Sequence, residues 1–434
     1  MKKINVGIIG YGVVGKGTAE ALVKNRALVA EKTGLDISLA AVADLYIDTR
    51  PDDILPLIPL KTKNADDIIN NPEIDIVCEL IGGYEYAKRF IIAALNAGKH
   101  VVTANKALLA VHGKELFALA EKKGVQIGFE ASVGGGIPII KVLKEDLAVN
   151  DIEEISAIIN GTANYILTRM QGEGAPYDEV LKDAQRLGYA EADPSFDVEG
   201  IDSAHKLTLL ASIAFGTWVE FKEVYTEGIT KISTTDVEFA KEFGCTIKLL
   251  AIGKKHKDGV EVHVHPTMIP LSYQLAMVND VFNAVHIKGD FVGKTMHYGR
   301  GAGGRPTGSA VAGDVINIAR DIARGCPSLV PSLGFVKQRA LPVKDIMDTS
   351  SAFYLRFNVV DHPGVLASIA GVLAENNISI RSALQRPPVS KNEEILPLVF
   401  LTHNTTGRKI TQAVEKIDRL PSVKAKTVII RVEA

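Results

Sequence analysis

This chain of 434 residues has little cysteine, a single tryptophan and no excess of either charge. Its three cysteines, Cys78, Cys245 and Cys326, are too widely spaced for a metal pattern or a disulfide framework, which makes a reducing cytoplasm the expected compartment. Lysine and arginine number 49 against 51 acids, for a net charge of −2, so nothing draws the molecule as a whole to nucleic acid or to an anionic membrane. No run of about 18 apolar residues occurs, which removes a membrane span. The opening MKKINVGIIG only faintly imitates a signal peptide, because its apolar stretch is short and glycine-broken and no small-residue cleavage site follows. Internal repeats and low-complexity tracts are also missing.

Apolar residues are abundant, at 47%, and at about 150 residues per domain the length suggests two to four domains. The start reads INVGIIGYGVVGKGTAEAL. A short apolar run meets Gly10-Tyr11-Gly12-Val13-Val14-Gly15, and a helical pattern follows. Strand, glycine turn and helix together are the context a dinucleotide fingerprint needs. Gly10 permits the turn, Gly12 lets backbone approach a pyrophosphate, and Gly15 allows the helix close to the strand. The helix start offers unpaired N–H groups to the phosphates.

Residues 1–140 alternate short apolar runs with helical patterns, as in an α/β domain with a parallel sheet. Strands are expected at Val6–Ile9, Ser38–Ala43, Ile74–Leu80, His100–Thr103 and Val125–Phe129, and helices at Tyr84–Ala97 and Gly113–Lys123. After the second strand come Asp44, which suits the ribose hydroxyls of NAD, and Arg50, which suits the extra phosphate of NADP. The residues leave the coenzyme open between the two. Ligands of such sheets bind beyond the carboxyl ends of the strands. There lie Glu79 to Gly83, Thr103 to Lys106, and the turn Glu130 to Gly136, whose glycines and carboxylate could turn carbonyls toward a cation.

From about Val149 longer apolar alternations and helices suggest a second, α+β domain, placed at residues 141–330 and expected to serve substrate binding, catalysis and oligomerisation. Asn160-Gly161-Thr162 reads as a cap before a helix. Gly299 to Thr307 is a second glycine-rich turn, either an inter-domain linker or the far side of the cofactor site, and the helices around 305–330 are placed back against the first domain. Residues 331–351 form a polar linker. From 352 to 434 the pattern is strand, helix, strand, strand, helix, strand, a ferredoxin-like βαββαβ unit.

The densest chemistry is YAEADPSFDVEGIDSAHK, residues 189–206. Asp202 and Lys206 sit four apart, on one face of a helix. Glu191, Asp193 and Asp197 precede them in a segment that Pro194 and Gly200 keep irregular. An amine among carboxylates can move a proton and hold a charged substrate. The plainer reading is a solvated helix start with a surface ion pair. Lys106, similarly, is either a surface lysine or a cation beside the nicotinamide, and His205 is read as packing or solvent-facing.

Together the glycine fingerprint, Thr103-Ala104-Asn105-Lys106, Glu130-Ala131-Ser132-Val133-Gly134-Gly135-Gly136-Ile137-Pro138, Asn160 to Tyr165, and Gly188 to Pro194 leading to Asp202 and Lys206 resemble homoserine dehydrogenase. The likeness covers nearly the whole chain. The turn Asp361-His362-Pro363-Gly364 resembles the opening of an ACT domain, and no aspartokinase-like region precedes the fingerprint, so the monofunctional form is expected. The resemblance implies reversible hydride transfer between NAD(P)H with L-aspartate 4-semialdehyde and NAD(P)+ with L-homoserine, in the biosynthesis of threonine, methionine and isoleucine. Lys206 would be the general acid or base, with Lys106 and Asp202 beside it. Glu191, Asp202, Asp197, Thr162 and Tyr189 would bind substrate. Gly10, Gly12, Val13, Val14, Gly15, Asp44, Arg50, Lys106, Gly188 and Gly303 would meet the coenzyme. Glu130, Val133, Gly135 and Ile137 match the family's site for a monovalent cation (Na+ or K+) of structural type. The ACT-like tail implies a homodimer or homotetramer and either feedback by an amino acid, threonine being the expected effector, or a purely structural dimerisation module.

Two other readings compete. An aldehyde dehydrogenase with an acyl intermediate needs an activated cysteine; Cys78 and Cys245 lie in or beside apolar runs, and Cys326, followed by Pro327 in a turn, is the loose candidate. An amino-acid sensor that has lost catalysis would not need Lys206, Asp202, Lys106 and Glu191 together.

Overall fold

The computed structural model describes residues 1–50, 52–326, 329–386 and 395–433. In the first part β1 (Lys2–Ile9), β2 (Leu35–Ala43), β3 (Leu60–Thr62), β4 (Ile76–Glu79), β5 (His100–Thr103) and β6 (Ile127–Gly128) form a parallel sheet in the order β3-β2-β1-β4-β5-β6. The central strands β1 and β4 are buried along nearly their whole length, as strands covered on both faces must be. Ile9 pairs with Glu79 and Glu79 with Thr103, so Gly10, Leu80 and Ala104 leave the sheet level with one another. The strand order reverses between β1 and β4, where such a sheet opens a crevice.

The helix Val13–Lys24 lies against a distant helix, Gly304–Arg324. A Cβ on Gly17 would fall 2.0 Å from the Gly304 carbonyl oxygen, and one on Gly308 would fall 2.4 Å from the Gly17 carbonyl carbon. Only glycine permits that approach. Val311, Val315, Ile318 and Ala319 of the later helix share a core with Ile4, Val6 and Ile8. The helix Arg26–Thr33 was not expected; it has no buried residue, and so no apolar stripe to reveal it.

The second sheet comprises β7 (Ile152–Ile158), β8 (Tyr225–Thr226), β9 (Cys245–His256), β10 (Gly259–Pro270), β11 (Phe282–Gly289), β12 (Gly293–Arg300), β13 (Ser350–Val360), β14 (Ile380–Gln385), β15 (Ile395–Thr402), β16 (Thr405–Thr406) and β17 (Val428–Val432). Its order is β12-β11-β7-β9-β10-β17-β13-β15-β14, with β8 on β10 and β16 on β13. The part β17-β13-β15-β14 is antiparallel. Phe353, Leu355, Phe357 and Val359 of β13 face the helices Val365–Glu375 and Gly407–Ile417 through Ile369, Leu373, Ile410 and Ile417. This is the ferredoxin-like unit.

The sequence pattern did not reveal that this unit continues the sheet of the preceding domain. β17 runs parallel to β10, pairing Thr267 with Arg431 and Met268 with Val432. The alternate side chains of β13 secure the junction. Arg356 Nε and Nη2 donate to the two oxygens of Asp236 at 2.6 and 3.1 Å, and Tyr354 donates to Asp236 at 3.0 Å. The segment between the units also touches the sheet, as Val343 bridges Val260. Among the described residues no helix is long and apolar enough to cross a membrane.

Candidate active site

At the crevice, Gly10 takes φ +100°, and a Cβ there would lie 2.7 Å from the Leu80 backbone. A Cβ on Gly15 would fall 2.1 Å from the Gly10 carbonyl oxygen. Gly12 differs, for only Arg50 Nη1, at 3.9 Å, comes near its open side. Gly12 also caps the Val13–Lys24 helix without a side-chain bond, and no acid occupies the first turn. The helix therefore presents free amides and positive dipole to whatever fills the crevice, which suits a pyrophosphate. A cleft of about 390 Å³ continues from there, lined by Val14, Glu79 to Tyr84, Asn105 and Lys106.

Asp44 is turned inward. Its oxygens accept from the amides of Tyr11 (2.7 Å) and Tyr46 (2.8 Å). Arg50 lies 3.4 Å from Asp44 and donates to the Tyr11 carbonyl. Five residues separate Asp44 from Arg50, yet the turn brings the guanidinium onto the glycine loop, where sequence spacing alone left it uncertain.

Across the cleft the Ile201–Phe215 helix is buried on almost every side, so Asp202 and Lys206, one turn apart, are not a solvated surface pair. Lys206 Nζ donates to Asp202 Oδ2 and to the Ile159 carbonyl, each at 2.6 Å. Lys106 reaches the other oxygen of Asp202 at 3.3 Å and lies over the Phe196 ring. Gly200, at φ +81°, makes the bend that sets Asp197 beside the helix start.

Asn160 joins the carboxylates. Its Oδ1 caps the next helix by accepting from Ala163 N at 2.8 Å, while its Nδ2 donates to Asp197 at 2.7 Å and to Asp202 at 3.0 Å. The cap visible in the sequence was real; the leftover amide protons were the missed signal, because an asparagine cap retains two donors. Thr162 donates to the backbone oxygen of Tyr189 at 2.7 Å.

Burial opposes ionisation of Asp202, but Lys206 and Lys106 outweigh it and hold its carboxyl down at about 2. Burial lowers the Lys206 ammonium below the ordinary lysine value, Asp202 opposes that, and Lys106 reinforces it. Asp197 is raised, first by burial and then by Asp202, against the Asn160 hydrogen bond. Asp202 is thus held as the carboxylate, while burial shifts both Lys206 and Asp197 toward their neutral forms.

Lys106, Lys206, Asp202, Asp197, Asn160, Thr162, Gly188, Tyr189, Gly135, Gly303 and Val14 line one cavity of about 530 Å³. Ser132 and Arg300, from turns noted in the sequence but given no role of their own, also line it, as does Asn283, which no sequence motif marked. The turn at Gly301 to Gly303 closes its far side, so the glycine-rich segment near residue 300 is part of the wall. Glu191 is exposed and is not among the lining residues; its carbonyl accepts from Gln185 Nε2 at 3.1 Å. The Glu130 carboxylate accepts from the amides of Ile139, Ile140 and Lys141 at 2.6 to 2.8 Å. With those oxygens engaged, a cation at this turn would be left to the carbonyls. His205 stacks on Phe221 at 4.1 Å and lies near Phe196; burial lowers its pKa to about 4, which fits the packing reading.

None of the three cysteines lines the cavity. Burial pushes the Cys78 and Cys245 thiols up, the reverse of activation. Pro327, and with it the turn expected after Cys326, lies outside the described residues.

Family models agree with this geometry. Residues 10–130 match the NAD-binding domain of homoserine dehydrogenase, 138–316 match homoserine dehydrogenase, and 353–422 match the ACT domain. A homoserine dehydrogenase from Pseudomonas aeruginosa is 45% identical, covering 100% of this chain and 99% of its own. The crystal structure of a homoserine dehydrogenase from Thiobacillus denitrificans, also 45% identical, superposes with a TM-score of 0.94 over 100% of this chain and 99% of its own. A hyperthermophilic archaeal homoserine dehydrogenase in complex with NADPH is 27% identical, with a TM-score of 0.62 over 78% of this chain and 100% of its own. A glycine crevice for a nicotinamide dinucleotide, facing a buried lysine and carboxylate cluster in a three-part chain of this order, places the protein in the homoserine dehydrogenase family, NAD(P)-dependent oxidoreductases that act on the CH–OH group of homoserine.

Proposed function

We propose that the chain interconverts L-homoserine and L-aspartate 4-semialdehyde in amino-acid biosynthesis in a reducing cytoplasm, with Lys206 as the proton-transfer group. The coenzyme, when bound, supplies or accepts the hydride. The carrying observation is the hydrogen bonding of Lys206. Two protons of its ammonium are committed, to Asp202 and to the Ile159 carbonyl, leaving one for an oxygen in the cavity it lines. In reduction, that proton meets the charge developing on the aldehyde oxygen; in oxidation, the neutral amine accepts it from the hydroxyl. Lys106, on the same cavity, would polarise the carbonyl and disfavour the charged form of Lys206. Asp202 and Asp197 would hold the substrate ammonium beside Thr162 and Tyr189. Glu191, two residues along from Tyr189 and exposed here, would join them by moving.

The test is Lys206→Met, which keeps the length and apolar stem while removing the transferable proton. Turnover should fall about 10²–10⁴-fold, with coenzyme affinity retained. Turnover within tenfold of the parent would overturn the assignment.

Arg50 supports NADP as coenzyme, because the carboxylate beside it is occupied by backbone amides and the guanidinium is the more exposed partner. A related protein bound to NADPH points the same way. A monovalent cation of structural type would sit on the carbonyls of Glu130, Val133, Gly135 and Ile137. In the C-terminal unit, a cavity of about 320 Å³ lies at the turn Asp361 to Leu366, closed by Gln385 and Leu398. That cavity supports feedback by threonine in a homo-oligomer, and a rate and melting temperature both indifferent to threonine would remove the regulatory reading.

A further inference from the structure

We propose that Lys248 is a positioning residue for the substrate cavity, acting through residues 278–283. Lys248 is completely buried in β9, which costs free energy unless the charge is well satisfied. Here its ammonium donates to the Val278 carbonyl at 2.6 Å and to Asn279 Oδ1 at 2.9 Å, with Asn164 Oδ1 at 3.4 Å. It has no carboxylate partner within bonding distance among the described residues. The three oxygens surround it as they would a small bound cation.

Beneath the same segment, Asn164 Nδ2 points at the carbonyls of Val278 (3.2 Å), Asp280 (2.9 Å) and Phe282 (3.2 Å). Asp280 adopts φ +55°, and Thr168 Oγ1 accepts from its amide at 3.1 Å. The irregular stretch before β11 turns the Val278 and Asp280 carbonyls inward with no sheet or helix to pair them, so buried donors must do so, and the Phe282 carbonyl at the start of β11 shares them. Two amide protons cannot serve three carbonyls fully, and the ammonium takes up the first.

What this cradle holds is a wall of the reaction site. Val281 and Asn283 line the cavity with Lys206 and Asp202. A Cβ on Gly161 would fall 2.9 Å from the Val281 carbonyl oxygen, and one on Gly301 would fall 2.0 Å from Asn283 Nδ2. The segment is thus wedged between the start of the Gly161–Glu173 helix and the Gly301 to Gly303 turn. Lys248 itself lies outside the cavity lining, so its effect passes through the wall. The assignment rests on the proposed reaction at this cavity.

The test uses the full-length chain with Lys248→Met and, in case that variant does not fold, Asn279→Ala at an exposed position. Lys248→Met should lower kcat/KM for homoserine about 10- to 100-fold through KM, the scale of a small misplacement. The KM for coenzyme and the pH dependence of kcat should stay as in the parent. Lys248→Arg should recover part of the loss. Simple loss of folded enzyme would lower kcat and leave both KM values alone. Amide exchange at residues 278–283, measured without ligands, should quicken in Lys248→Met and more weakly in Asn279→Ala. Unchanged exchange there, or a homoserine KM within twofold of the parent in a folded variant, overturns the proposal. A parent without homoserine activity would instead remove the proposed reaction, leaving the exchange experiment to decide the role of Lys248.

Discussion

Replacing Asp236 by alanine should loosen the C-terminal unit more than any exposed substitution could. Asp236 is fully buried and Arg356 nearly so. The carboxylate takes two bonds from the guanidinium, one from Tyr354, and two from Ser233, through its amide at 3.0 Å and its hydroxyl at 2.6 Å. The Ser233 contacts form a capping box for the helix Thr234–Glu242, worth ~1 kcal/mol. Breaking a buried pair by removing one partner costs about 3–5 kcal/mol, because the remaining charge stays desolvated. The larger effect decides the outcome. Unfolding of a chain with several units need not be two-state, so the suitable assay is native-state hydrogen exchange of the β13 amides. Protection there should fall by about 3 kcal/mol or more while that of β1 and β4 is unchanged. The double variant Asp236→Leu with Arg356→Met should regain most of it, since no charge is then left without a partner. A loss below about 1 kcal/mol, the scale of an exposed pair, would refute the claim that this pair anchors the unit.

If Lys206 is the proton-transfer group as proposed, homoserine oxidation uses its neutral amine, so the rate should rise with pH through a limb below the ordinary lysine range, as burial and Lys106 lower the group. Lys106→Met should move that limb to higher pH and Asp202→Asn to lower pH; pH profiles of kcat that move oppositely would contradict the electrostatics. Gly17→Ala places a methyl 2.0 Å from the Gly304 oxygen and should cost about 1–3 kcal/mol, weakening coenzyme binding as the two helices part; calorimetry with NADP checks it. Arg50→Ala should weaken NADP by about 1.5–3 kcal/mol, the value of a charge-assisted bond, and leave NAD nearly unchanged. Equal loss for both coenzymes would place Arg50 away from the 2′-phosphate.

Local order along the chain determined a good deal of this. A glycine turn between an apolar strand and a helix has one favoured geometry, and β5 and β15 fall where their apolar runs begin and end. The spacing of Asp202 and Lys206 sufficed to put them on one helical face. Tertiary structure decided the rest, through contacts between residues far apart in the chain. Whether that face met water or core depended on the elements around the Ile201–Phe215 helix. Asn160 became a link between two carboxylates only when Asp197 folded back to it, and Glu130 was drawn onto the amides of residues 139–141. The joining of β10 to β17 depends on pairing between strands about 160 residues apart, and strand pairing at that range leaves no periodic mark on the sequence. Side-chain type and spacing specify local geometry and which chemistry is at hand; burial and long-range partners set which ionisation states and hydrogen bonds that chemistry can use.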